Sequence, residues 1–189
     1  MYKAIVIGAS AGGLYAIRDL LKPLPAEFNI PIIIVQHLSP HSDNYMIEFL
    51  NKTTNLKVKE VDEKEKIKSG QVYIAPPNYH VLIEDNETFS LSADEKVNYS
   101  RPSIDVLFYS AADVYKKNLI GIVLTGANDD GARGLFEIRK SGGLGIVQTP
   151  ATAEASQMPN AAILEANPDH ILNISDISKL LKQIIKEQN

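Results

Sequence analysis

Three side chains able to carry acyl-transfer chemistry occupy comparable places along this 189-residue chain: Ser10, His37 and Asp130. Ser10 lies in Gly8-Ala9-Ser10-Ala11-Gly12-Gly13, directly after the apolar run Ala4-Ile5-Val6-Ile7 and directly before a helical pattern. A G-x-S-x-G turn between strand and helix holds a serine hydroxyl clear of its own backbone, and the amides that follow it can donate to an oxyanion. His37 closes a second apolar run, Pro31 to Gln36, and Asp130, with Asp129 beside it, ends the loop that follows a third run, Leu119 to Leu124. A hydroxyl, an imidazole and a carboxylate are the nucleophile, base and orienting acid of acyl transfer. Singly, each has a plainer use. Ser10 suits a helix cap or a phosphate loop, His37 a structural strand end, and either acid a helix N-terminus. Their common position just past strand ends is what argues for chemistry.

That position follows from the elements around them. Short apolar runs alternate with amphipathic stretches, which predicts a doubly wound α/β fold: a mainly parallel sheet in a three-layer α/β/α arrangement, one domain over residues 1–189. In such sheets the carboxyl ends of the strands line the ligand crevice, so residues distant in sequence converge there. Leu14, Ile17, Leu20, Leu21 and Leu24 predict the first helix, and a second starts near Ser42 or Asp43 and buries Met46, Ile47 and Leu50. The middle reads differently. Residues 56–61, 72–75, 79–84 and 88–91 predict short strands, the last two forming a hairpin inserted within the sheet. Ser103 is placed to cap a helix running to about Tyr115. Helices over 131–141, 160–166 and 177–186 then alternate with strands at 145–148 and 170–173.

Composition excludes several functions. With a net charge of −4 and cations spread along the chain, neither a nucleic-acid footprint nor a polybasic membrane patch is expected. The absence of cysteine rules out disulfides, Cys-ligated zinc and a thiol nucleophile. No signal-peptide pattern opens the chain and no apolar stretch nears the roughly 20 residues that span a bilayer, so a cytoplasmic protein without membrane insertion is expected. The Asn-x-Ser/Thr triplets at Asn51, Asn86, Asn98 and Asn173 accordingly carry no weight.

Five separated motifs then point one way: Ile7 to Gly13, Gln36-His37, Tyr73-Ile74-Ala75-Pro76, Arg101 to Phe108, and Leu124-Thr125-Gly126 through Asp130-Gly131-Ala132. In this order they resemble the catalytic domain of the chemotaxis protein-glutamate methylesterases over nearly the whole chain, with Met158-Pro159 similar to a late family segment. The resemblance places Ser10, His37 and Asp130 at the family's triad positions and chooses Asp130 over Asp129 as the acid before glycine. It implies hydrolysis of glutamate methyl esters on cytoplasmic helices of methylated chemoreceptors, with release of methanol, and deamidation of glutamine at the same site. It implies no cofactor and no metal. Main-chain amides near Ala11 and Ala127 would hold the oxyanion. From their own positions, His80, which follows a strand and Pro76-Pro77, and Arg101, which precedes Pro102 and a helix cap, are candidates for touching substrate, the plainer uses being a loop hydrogen bond and a loop clamp; His41 and His170 read as structural.

The chain also departs from the family pattern. It has Ala11 where threonine often follows the serine, and Gly126-Ala127-Asn128-Asp129-Asp130-Gly131 where Gly-Met-Gly-Asn-Asp-Gly is usual. It opens on the first catalytic strand, so no phospho-receiver domain is expected, and association or fusion with a receptor methyltransferase stays open. Two other readings compete. A dinucleotide-binding module would use Gly8 to Gly13 as a phosphate cradle, but serine replaces the central glycine of G-x-G-x-x-G and the second strand ends in Gln36-His37 rather than an acid. A non-catalytic or small-ester-specific member of the same fold would keep the architecture and lose or alter the reaction.

Overall fold

In β1 (Ala4–Ala9) every residue is buried, which a strand achieves only when both faces of its sheet are covered. Ile5, Ile7 and Ala9 pack on one face with helix α1 (Gly13–Leu21), while Ala4 and Val6 pack on the other against α3 (Ile104–Tyr115). The computed structural model describes residues 1–37 and 44–188. Around β1 it arranges β2 (Ile32–Gln36), β3 (Lys57–Glu60), β4 (Gln71–Ile74), β7 (Leu119–Val123), β8 (Leu144–Gln148) and β9 (His170–Leu172) in the order β3-β4-β2-β1-β7-β8-β9, every pair parallel. Helices α1, α2 (Tyr45–Thr53) and α6 (Ile174–Gln188) cover one face; α3, α4 (Ala132–Lys140) and α5 (Gln157–Ala166) cover the other. The expected three-layer α/β/α fold is therefore present.

Two sequence expectations are corrected or refined, and a third falls outside the described residues. The hairpin of β5 (His80–Ile83) and β6 (Phe89–Ser92) is not inserted within the sheet but forms its own two-stranded ribbon, packed on α3 through Val81, Ile83 and Phe89. The start of the second helix near Ser42 or Asp43, and His41, lie outside the described residues. Helix α5 begins three residues earlier than its hydrophobic pattern suggests, because Pro159 fits the first turn, where its missing N–H has no intrahelical partner to lose.

The chain steps outward from β1 to β2 on one side and returns through α3 to place β7 on the other, so the sheet order reverses beside β1. Such a switch point opens the crevice of an α/β sheet. Register brings the strand ends level there: Gly8 lies opposite both Val35 and Val123. The ladder continues one step past the strands, with Ser10 N–H donating to the Thr125 carbonyl (2.9 Å) and His37 N–H to the Ala9 carbonyl (3.1 Å).

Candidate active site

The turn at Ser10 is closed from below by Gln36. Its buried amide nitrogen donates to the carbonyls of Ser10 (2.8 Å) and His37 (3.0 Å), tying the two turns together. A Cβ at position 13 would lie 1.9 Å from Gln36 Oε1 and 2.8 Å from the Cβ of Ala9, so glycine lets helix α1 start this close to β1 without displacing Gln36. Thr125 does the same work on the far side. Its hydroxyl donates to the Ala11 carbonyl (2.8 Å) and accepts from the Ala155 amide (2.9 Å), while its own amide donates to Gln148 Oε1 (2.9 Å). Met158, fully buried, sits over Gly126 and donates its amide to that residue's carbonyl (2.9 Å), fixing the loop that leads to the acid.

Beside Ser10, the His37 ring meets Asp130 through Nε2···Oδ2 at 2.9 Å, with the imidazole 13% exposed and the carboxylate 0%. Asp130 is held from five directions. Oδ1 accepts from Asn98 Nδ2 (3.1 Å), the Ser103 hydroxyl (2.8 Å) and the Asp105 amide (3.0 Å), and Oδ2 accepts from the Ile104 amide (2.7 Å) as well as from His37. Burial pushes this carboxyl up, but hydrogen bonds from His37 and from the Ile104 and Asp105 amides outweigh it and hold the group below the ordinary aspartate range. The acid is therefore a carboxylate that can only accept, which puts the proton of neutral His37 on Nε2 and leaves Nδ1 as the basic atom. Among the described residues the Ser10 hydroxyl makes no hydrogen bond to this ring; Nδ1 instead lies 3.3 Å from Asn128 Nδ2.

The amides that hold Asp130 are the first two of α3, so the acid closes that helix from outside. Ser103 was expected to do so. Its hydroxyl turns instead to Asp130, and it makes no cap of its own. The exchange is mutual: Asp105, in the first turn of α3, accepts from the Gly131 (3.0 Å) and Gly134 (2.7 Å) amides at the start of α4, and Asn98 Nδ2 bridges the two carboxylates, reaching Asp105 Oδ2 at 2.9 Å. Gly131, at φ 94°, leaves room for Ile104, which a Cβ there would meet at 2.7 Å. Each carboxylate at a helix N-terminus contributes about 1 kcal/mol.

Asp105 carries a cost for this place. Burial raises its carboxyl from 3.8 to about 6, offset in part by the Gly134 amide and increased by the neighbouring Asp130 charge. A raised folded-state value means that the native protein binds more protons than the unfolded chain between about pH 4 and 6, so stability falls as pH rises through that window. The displacement amounts to roughly 3 kcal/mol at neutral pH. Asp105→Asn, which keeps the oxygen facing α4, is expected to gain on the parent protein by up to about that amount as denaturant melts are moved from pH 4 to pH 7. A pH-independent difference between the two would show that Asp105 does not titrate there.

Of the other anticipated residues, Ala11 and Ala127 are exposed at the rim, and among the described residues neither amide meets a protein acceptor. His80 does not offer a free nitrogen to the crevice: it is 2% exposed, accepts from the Ser103 amide at Nδ1 (3.1 Å) and meets the Glu95 carbonyl at Nε2 (3.0 Å), bracing the start of α3. Arg101 clamps its own loop through the Ala93 (2.6 Å) and Asp94 (2.8 Å) carbonyls, yet it lines a cleft of about 190 Å³ beside His37 together with Asn78, Lys96, Tyr99 and Pro102. Asp129 is exposed, and among the described residues it makes no hydrogen bond or ion pair with His37. His170 opens β9 away from the site. Asn98, Asp105 and Asn128 were missed as site residues. Asp105 lies within the Arg101 to Phe108 motif and Asn128 within the Gly126 to Gly131 segment, whereas nothing around Asn98 signals a role. Among the described residues no three His, Asp or Glu side chains are grouped to hold a metal ion.

An imidazole backed by a buried carboxylate, next to a serine turn with unpaired amides at the crevice of a parallel sheet, is the arrangement of acyl-transfer hydrolases. Within that class the chain belongs to the CheB methylesterase family, whose pattern matches residues 5–181. A chain of Leptospira interrogans is 55% identical over 179 residues, covering 95% of this chain and 93% of that one. The protein-glutamate methylesterase/protein-glutamine glutaminase 1 of Burkholderia pseudomallei is 39% identical over 180 residues, 94% of this chain and 49% of that protein. The crystal structure of the Thermotoga maritima CheB methylesterase catalytic domain superposes with a TM-score of 0.93 at 33% identity, covering 97% of this chain and 99% of that one.

Proposed function

We propose that this chain hydrolyses the methyl esters of glutamate side chains on methylated chemoreceptors, with Ser10 as nucleophile, His37 as base and Asp130 as orienting acid. The observation that carries the reading is the His37–Asp130 contact at the rim where Ser10 emerges. Attack by Ser10 Oγ on the ester carbonyl transfers the hydroxyl proton to His37 Nδ1, and Asp130 steadies the imidazolium through Nε2. The amides of Ala11 and Ala127 receive the oxyanion, each lowering the barrier by about 3 kcal/mol. Collapse passes the proton from Nδ1 to the departing methoxide, freeing methanol. Water then attacks the acyl-enzyme, gives its proton to Nδ1 and restores the serine. With a glutamine side chain the same steps release ammonia.

The substrate segments in this reading are cytoplasmic helices of the receptor, and the site of action is the cytoplasm. The cleft beside His37, with Lys96 and Arg101 on its walls, is the part of the rim suited to the acidic surroundings of such a segment. No helix among the described residues is long and apolar enough to cross a membrane. The test is incubation of the purified chain with receptor membranes methyl-labelled on glutamate. Volatile methanol is expected in proportion to enzyme; a folded protein that releases none would favour the non-catalytic member of the fold.

A further inference from the structure

The basic atom of His37 is already engaged in this structure. Nδ1 lies 3.3 Å from Asn128 Nδ2, and the direction of that carboxamide is fixed, because Asn128 Oδ1 accepts from the Asp130 amide at 3.2 Å. The nitrogen end must therefore face the ring and donate. With Nε2 held by Asp130, the imidazole sits between a carboxylate on one side and an amide donor on the other, and the lone pair needed to deprotonate Ser10 is occupied.

We infer that Asn128 is a latch on the general base: it holds the imidazole in register while the site is empty and must release Nδ1 before Ser10 can donate to it. This rests on the catalytic reading of Ser10 and His37. The latch is a positioning residue and takes no part in bond making. Its hydrogen bond favours the tautomer with the proton on Nε2, the one required for the first step, at the cost of competing with the serine hydroxyl. Half-buried, on a loop pinned at Gly126 and at Asp130, Asn128 has only its side-chain torsions with which to let go.

The experiment follows labelling of Ser10 by a small fluorophosphonate, measured by intact mass over time, in the parent chain, Asn128→Gly and Asn128→Ala. Removing the latch is expected to speed labelling about three- to tenfold, the factor one neutral hydrogen bond is worth. Loss of a merely structural contact would slow it. The ¹⁵N resonance of His37 Nδ1 should move in both variants while their melting temperatures stay near that of the parent. Equal or slower labelling in both variants, or an unmoved Nδ1 resonance, overturns the latch and leaves the catalytic reading standing. Absence of Ser10 labelling in the parent chain overturns the catalytic reading itself.

Discussion

Ser10→Ala is expected to reduce methanol release by about 10⁶-fold, the scale seen when a triad nucleophile is removed. The structure isolates the hydroxyl for this comparison. The backbone of residue 10 is held by the Thr125 carbonyl, the Gly13 amide and Gln36, all of which alanine retains, and Oγ itself has no hydrogen bond among the described residues. Stability should therefore stay within roughly 0.5 kcal/mol of the parent, so lost activity cannot be assigned to lost fold. Quantifying released methanol alongside a thermal melt decides the matter. Residual turnover above a few per cent in a folded variant would place the nucleophile elsewhere.

Replacing Asp130 by asparagine is expected to lower turnover by about 10⁴-fold and to destabilise the protein as well. Every group around this carboxylate is a donor: two α3 amides, the Ser103 hydroxyl, the Asn98 amide and His37 Nε2. An asparagine must turn its NH₂ toward some of them whichever way it sits, leaving a buried mismatch of about 3 kcal/mol. Asp129→Asn supplies the control, since that side chain is exposed and, among the described residues, makes no hydrogen bond or ion pair with the ring. Steady-state kinetics and denaturant melts on both variants separate the two acids. Equal losses from the two substitutions would remove Asp130 from its assigned role.

The ends of β1, β2 and β7 were legible in the sequence because a strand buried on both faces reads as an unbroken apolar run; Ser10 and His37 follow their runs at once, and Asp130 ends the short loop after the third. Adjacent pairing of the strands then does the rest: parallel neighbours lie about 4.8 Å apart. What the sequence hid is the architecture behind the acid. Asn98 and Asp105 precede Asp130 by 32 and 25 residues and meet it only because α3 packs start-to-start with α4. A first-turn aspartate such as Asp105 looks the same from sequence whether it serves its own helix or a neighbour's. Ser103 misled for the same reason: serine before a helix predicts a cap, but a stronger acceptor arrived from elsewhere in the chain. His80 followed a strand and a proline pair, cues that cannot distinguish a crevice residue from a brace.

Because Asp130 closes α3 while Asp105 closes α4, neither acid can be moved along its chain without uncapping the opposite helix. The nucleophile's hydroxyl caps no helix among the described residues, and its turn is tied to the scaffold through main-chain atoms that a change of side chain leaves in place. Anyone redesigning this site for another ester should leave the carboxylate pair untouched and vary the serine turn, the Asn128 loop and the rim of the cleft. Freedom to change chemistry in this molecule is thus unevenly distributed, wide on the side where bonds are made and narrow on the side that orients the ring.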